Sequence, residues 1–311
     1  MGVNLETRIG KLKLKNPVLT ASGTFGHAKE FEKFIDLSRL GGIVTKTITV
    51  KPRLGNPPPR IVETPSGMLN AIGLQNPGVD KFVEEKLPYF RKIGVPVIVS
   101  AMGYTIEELV HVVRTVEKAG GIDGFELNLS CPNVSYGQKG KDTQVKMFAH
   151  DDAMIEAAVS AVRKVTKRTL LAKLGPDVSD IGRMAQAAER AGADGVSLIN
   201  TFGAMAIDVR TRRPVLGNKT GGLSGPCIRP IAVRLTWEAA RRVKIPVVGI
   251  GGIVTANDAL EFLIAGASAV QVGTANFGNP AAPIEVLEGL ARFLESEKIP
   301  RLTDLVGSLR A

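Results

Sequence analysis

The sequence predicts an α/β protein, a (β/α)8 TIM barrel whose long βα insertions roof the active site. Three observations carry this. Short β-rich runs alternate with longer helical patterns about eight times along the chain, the order expected of βα units around a parallel sheet. Several of the runs are continuously apolar, as parallel strands buried on both faces require. The glycine-rich turns fall near the C-terminus. A doubly wound sheet, the runner-up, would favour such a turn after the first strand.

The candidate strands, in order, are residues 17–20, 42–46, 95–100, 124–128, 170–173, 195–200, 246–250 and 269–273. Between them, 106–119 is predicted helical, with Leu109, Val110, Val113 and Val116 on one stripe. Residues 152–165, 180–191 and 228–243 read similarly. Thr255-Ala256-Asn257-Asp258 resembles a capping box opening a helix that holds Ala259, Leu260, Phe262 and Leu263. The phrases Ala191-Gly192-Ala193-Asp194-Gly195 and Ala265-Gly266-Ala267-Ser268-Ala269 are helix-to-strand turns, with glycine in the left-handed conformation that ends a helix. Two connections are unusually long, 47–77 with Pro57-Pro58-Pro59, and 202–226. Both follow strands, so both should roof the barrel mouth. The expected organisation is a single domain over 1–311.

With 311 residues, 44% apolar and only 5% aromatic, the composition suits one large barrel of tight α/β packing. The net charge of +10 is dispersed. Its densest cluster, Arg210-Thr211-Arg212-Arg213, has no interleaved aromatics and reads as a solvated loop rather than a nucleic-acid surface. The two cysteines, Cys131 and Cys227, form no C-x-x-C pair, and His27, His111 and His150 are scattered, so no metal or iron–sulfur site is expected within the chain. Residues 1–15 lack the apolar core of a signal peptide, and no stretch is long enough to span a membrane. A soluble cytoplasmic protein is the expectation.

The chemistry concentrates at strand ends. Asn128-Leu129-Ser130-Cys131-Pro132-Asn133 follows the fourth strand and sets amide, hydroxyl and thiol groups at the barrel mouth. A thiol there serves as nucleophile or general base once deprotonated; a small packed cysteine between turn-forming asparagines is the bland alternative. Gly249-Ile250-Gly251-Gly252-Ile253 and Gly273-Thr274 end the seventh and eighth strands, where barrels frequently hold a phosphate. Lys46 and Lys173 end the second and fifth strands. A lysine pointing into the mouth costs desolvation unless it meets an anion, such as a reduced flavin ring or a carboxylate substrate; a snorkelling surface lysine is the alternative. Asn70, Asn128, Asn133 and Asn200 both donate and accept, which suits a planar imide such as a pyrimidine.

Together with Lys46-Thr47, Asn70-Ala71-Ile72-Gly73-Leu74-Gln75-Asn76-Pro77-Gly78, Ile199-Asn200-Thr201 and Gly221-Gly222-Leu223-Ser224-Gly225-Pro226, these motifs resemble the dihydroorotate dehydrogenases. The similarity runs from about residue 4 to about residue 295. Cysteine at position 131 resembles class 1, since class 2 places serine there and carries a membrane-associating extension. The stretch Ala206-Ile207-Asp208-Val209-Arg210 looks most like subclass B. The resemblance implies an FMN-containing catalytic subunit that oxidises (S)-dihydroorotate to orotate in pyrimidine (UMP) biosynthesis. It implies a homodimer core flanked by electron-transfer subunits carrying FAD and a 2Fe-2S cluster, a heterotetramer that passes electrons to NAD+. By the same resemblance, Cys131 is the base for the C5 proton, the C6 hydride goes to FMN, and Lys46 stabilises charge in flavin and substrate. Lys46, Asn70, Ala71, Ile72, Gly73, Leu74, Asn128, Asn133, Asn200 and Thr201 correspond to the substrate site. Ser22, Lys46, Thr47, Ser100, Asn128, Lys173 and Ile199 correspond to the FMN site, which Gly225, Gly251, Gly252, Gly273 and Thr274 complete around the ribityl chain and phosphate.

The chain departs from subclass B in two places. Ser100 stands where asparagine is usual, and a hydroxyl there is expected to reach the ribityl chain through water. Residues 134–151 form a longer loop without the Gly-Gly-x-x-Phe-Gly pattern. Other readings are a dihydropyrimidine dehydrogenase flavin subunit, which shares the cysteine motif but differs around Asn70, and a fumarate-linked subclass A-like enzyme. A non-catalytic phosphate-ligand barrel is the reading from another class.

Overall fold

The computed structural model describes residues 2–130 and 148–310. Eight parallel strands close into a barrel in chain order: β1 (Val18–Thr20), β2 (Gly42–Val44), β3 (Val97–Ala101), β4 (Gly124–Asn128), β5 (Thr169–Leu174), β6 (Gly195–Leu198), β7 (Val247–Ile250) and β8 (Ala267–Val272). The last pairs back onto the first through Val270↔Val18 and Gln271↔Leu19. Apart from the half-buried Ser268, every residue of these strands is buried. That is why they read as apolar runs and not as alternating ones.

Six longer helices pack outside: α1 (Ile106–Ala119), α2 (Asp152–Arg163), α3 (Ile181–Arg190), α4 (Arg229–Ala240), α5 (Ala256–Ile264) and α6 (Ala282–Ser296). Side chains begin four of them. Thr105 accepts from the Glu108 N–H, Asp151 from Ala153 and Met154, and Asp180 from Arg183, each contributing about 1 kcal/mol. At α5 both halves of the Thr255–Asp258 capping box form. Gly192 and Gly266 take φ of +93° and +116° at the helix-to-strand turns, a conformation costly for any residue with a Cβ. On α1 the buried stripe is Leu109, Val112, Val113 and Val116. Val112 replaces the predicted Val110 because it completes the 3.6-residue period.

The first two connections carry no long helix. After β1 there are only 3-10 turns, Lys29–Phe31 and Leu37–Arg39. After β2 the helical stretch 79–90 widens into a π-turn at Phe82–Lys86. Pro88 follows at once and has no N–H to return to the preceding turn. Aromatic side chains fill the space: Phe25 stacks on Phe31 at 3.9 Å, and the His27 ring lies 6.0 Å from Phe82 and 6.3 Å from Phe90.

His27 Nδ1 is buried without a hydrogen-bond partner among the described residues. Burial holds its pKa below the ordinary histidine value, opposed by Glu30 and reinforced by Lys86 and Lys46. The unfolded chain therefore binds this proton more readily than the folded one, and stability falls as pH drops from about 7 towards 5. His27→Gln is expected to flatten that slope in urea midpoints measured across this range. Parallel slopes for both proteins would contradict the assignment.

The N-terminal residues form a hairpin, Thr7–Ile9 with Leu12–Leu14. It closes the bottom of the barrel, setting Ile9 and Leu14 against Leu19, Val44, Ile98, Leu171 and Val248, each worth about 1.5–3 kcal/mol of burial. At the opposite end the two long connections meet. Ile61–Thr64, Gly67–Asn70, Gly221–Ser224 and Phe202–Ala204 pair into one antiparallel sheet, with Leu69, Ala71 and Leu216 as its small core. The roof expected from both connections is thus a single sheet. The Arg210–Arg213 cluster lies on a separate exposed hairpin, Ile207–Asp208 with Arg213–Pro214. Among the described residues no helix is long and apolar enough to cross a membrane.

Candidate active site

A cavity of about 330 Å3 lies between the C-terminal strand ends and the roof, within the size range of small-molecule sites. β1 leads to Ser22, β2 to Lys46 and Thr47, β4 to Asn128, and β5 supplies Lys173. Beyond β6 come Ile199, Asn200 and Thr201. The turns after β7 and β8 bring Gly251, Gly252, Gly273 and Thr274, and the connection from the roof brings Gly225. Asn70, Ile72, Gly73 and Leu74 close it from above.

Two residues singled out from the sequence lie off the cavity wall. Ala71 is fully buried and faces the roof's own core, because alternation along an extended chain turns it away from its neighbours. Ser100 is fully buried, and its hydroxyl lies 2.9 Å from that of Thr47. It supports Thr47, which itself lines the cavity. Cys131 and Asn133 fall outside the described residues, as do residues 134–147 of the long loop.

The amides form a connected set. Asn200 Nδ2 donates to Asn128 Oδ1 at 3.3 Å and to the Ser130 carbonyl at 2.9 Å. Asn128 Nδ2 reaches Thr47 Oγ1 at 3.4 Å. The Asn200 carbonyl oxygen accepts from the Thr201 N–H at 2.8 Å. On the roof, Asn70 Nδ2 donates to the Gly222 carbonyl at 3.3 Å. The turn below it takes left-handed backbone at Gly73 and Leu74, and Asn76 holds it by donating to the Leu74 carbonyl at 2.7 Å.

The glycine end has little spare space. A Cβ on Gly252 would sit 2.7 Å from the Gly225 carbonyl oxygen and 2.8 Å from Arg229 Cβ. Directly after it, Asp258 accepts from the Val254 and Thr255 N–H groups at 2.9 and 2.7 Å and pairs with Arg229. The start of α5 is thereby satisfied by its own capping groups, and it is the glycine turns, Gly251–Gly252 and Gly273–Thr274, that line the cavity. Lys173 is buried, with Nζ 3.7 Å from Glu126 Oε1 and 3.5 Å from Ser22 Oγ.

Sequence reading missed the layer beneath the cavity. Glu126, Ser197 and Gln271 are fully buried inside the barrel, and Glu126 accepts from the other two. The available signal was a charged and an amide residue inside otherwise apolar runs, Gly-Phe-Glu-Leu-Asn and Ala-Val-Gln-Val. Taken together, the site offers a glycine-lined end, two lysines and a set of amides able to read a planar, hydrogen-bonding ligand.

Comparison with known proteins agrees in extent as well as kind. Residues 4–294 match the family model described as dihydroorotate dehydrogenase. A protein of Trichlorobacter lovleyi named dihydroorotate dehydrogenase B (NAD(+)), catalytic subunit, is 51% identical over 305 residues, 98% of each chain. Identically named proteins of Thermodesulfovibrio yellowstonii and a Thermoanaerobacter species are 49% identical over 306 residues and 52% identical over 308 residues, covering 98–99% of each chain. This chain belongs to the dihydroorotate dehydrogenase family.

Proposed function

We propose that this protein oxidises (S)-dihydroorotate to orotate in pyrimidine biosynthesis, as the FMN-containing catalytic subunit of an NAD+-linked dihydroorotate dehydrogenase. The observation that carries the reading is the cavity itself: glycine turns, lysines and amides converge in a chain about half identical, end to end, to catalytic subunits of that name.

The residues present fit FMN. A phosphate suits the backbone at Gly225, Gly251, Gly252, Gly273 and Thr274, where the Gly252 position admits no Cβ. A flavin ring suits Ser22, Thr47, Asn128, Lys173 and Ile199 along the barrel mouth. When bound, FMN supplies the acceptor for the C6 hydride. Cys131 takes the C5 proton as thiolate. A free thiol is largely protonated at neutral pH, and a nearby cation such as Lys46, which lines the cavity, would favour the charged form. Lys46 also meets the substrate's charge, while Asn70, Asn128, Asn133, Asn200, Thr201 and the Gly73–Leu74 backbone orient the ring and its carboxylate. Held this way, ring and base have little freedom left to lose on the way to the transition state.

Residues 1–311 act as one FMN-binding unit in this reading. The relatives' designation as catalytic subunits supports a partner, here a subunit carrying FAD and a 2Fe-2S cluster, assembled on a homodimer core into a cytoplasmic heterotetramer. A substrate panel tests the assignment. The purified chain is expected to turn over dihydroorotate with an artificial acceptor, to ignore dihydrouracil, and to gain NAD+ reduction only with the partner. Preference for dihydrouracil would assign it to pyrimidine reduction instead, and turnover with fumarate alone would remove the partner.

A further inference from the structure

We propose that Glu126 is a positioning residue, which fixes the Lys173 ammonium at the floor of the cavity and so sets the electrostatics of whatever ring lies above it. This rests on the assignment of the cavity to FMN.

Glu126 lies two residues before Asn128 on β4, and strand alternation puts both on the inward face. Its carboxylate is fully buried. Oε2 accepts from Gln271 Nε2 on β8 at 2.6 Å and from Ser197 Oγ on β6 at 2.9 Å, so donors from two other strands clamp one oxygen. Oε1 is buried with no hydrogen bond among the described residues, and Lys173 Nζ stands 3.7 Å from it. A buried carboxylate is costly without a compensating cation, and Lys173 is the cation placed to compensate it. The lysine gains in turn. Its flexible four-carbon stem has many rotamers, and an anion anchored to three strands selects the one that keeps Nζ beside Ser22 and the cavity. The division of labour between the two oxygens, one bonded to the barrel and one left to the lysine, is what distinguishes positioning from simple bracing.

Glu126→Gln separates the alternatives. The glutamine oxygen still accepts from Gln271 and Ser197, but its NH2 then faces the ammonium, donor against donor. FMN affinity, measured by fluorescence quenching on the apoprotein, and the reduction potential of the bound flavin are compared for wild type, Glu126→Gln, Lys173→Met and the double variant. Glu126→Gln is expected to weaken FMN binding by about tenfold and to lower the potential, as Lys173→Met does by removing the positive charge. The double variant should match Lys173→Met within about threefold. A raised potential in Glu126→Gln would mean the carboxylate acts only by its own field. An unchanged potential would make it a brace, and multiplicative effects on affinity would make the residues independent; each overturns the proposal. If Glu126→Gln does not fold, Glu126→Asp keeps the charge, withdraws it from Nζ and must lower the potential in the same sense. Wild type that takes up no FMN would overturn the cofactor assignment and this proposal together, whereas with wild type that binds FMN the variants alone decide the role of Glu126.

Discussion

Cys131→Ala is expected to lower turnover of dihydroorotate by about 10²–10⁴-fold, the usual contribution of a general base, while the purified variant keeps its FMN. The residues proposed to hold the cofactor do not include Cys131. The chain up to Ser130 is held by its own bonds: the Ser130 carbonyl and hydroxyl accept from Asn200 Nδ2 at 2.9 and 3.2 Å, and the hydroxyl reaches the Lys173 carbonyl at 3.4 Å. Asn128, Asn200 and Lys173 therefore stay in place when the next side chain is shortened, and the loss falls on proton removal. Cys131→Ser is expected to retain part of the activity with a higher pH optimum, because a hydroxyl ionises less readily than a thiol. Normal single-turnover rates in Cys131→Ala would take this residue out of the mechanism.

Gly252→Ala is expected to yield protein with little or no bound FMN. Two effects add. Gly252 has φ of +72°, which strains an alanine, and the new Cβ meets a backbone oxygen at 2.7 Å. That oxygen belongs to Gly225, whose own φ is +100° and whose position is packed against Gly67, so the roof connection has nowhere to retreat. Overpacking of this kind costs about 1–3 kcal/mol, and it falls on the turn proposed to hold the phosphate. FMN content should fall at least about tenfold, with a lower melting temperature. Full FMN occupancy at an unchanged melting temperature would show that the cradle lies elsewhere.

The barrel was legible because its signals are local. Runs dominated by apolar residues mark β3, β5 and β7, Thr255 and Asp258 mark the start of α5, and Gly192 and Gly266 mark the turns into β6 and β8. Apart from Ala71 and Ser100, the described residues read as contributing to the site come together, those at strand ends because a barrel gathers them. What was illegible depends on partners distant in sequence. The N-terminal hairpin has strands of three residues each, too short for a period to register, and its meaning as a plug emerges only beneath the closed barrel. The pairing of Asn70 with Gly222 joins segments 152 residues apart, which no window over either loop reveals. Ser100 sits at a strand end as expected, yet its short side chain is taken up by Thr47. Glu126 was hidden by position: in a fully buried strand, sequence does not distinguish the helix-facing side from the barrel interior.

The cavity is proposed to hold FMN and to pass to it the electrons of dihydroorotate. A visible spectrum of the purified chain, recorded before and after anaerobic addition of L-dihydroorotate, tests it most directly. Flavin bands are expected before addition and are expected to bleach after it. Flavin bands that persist, or a colourless protein that FMN cannot reconstitute, would contradict it.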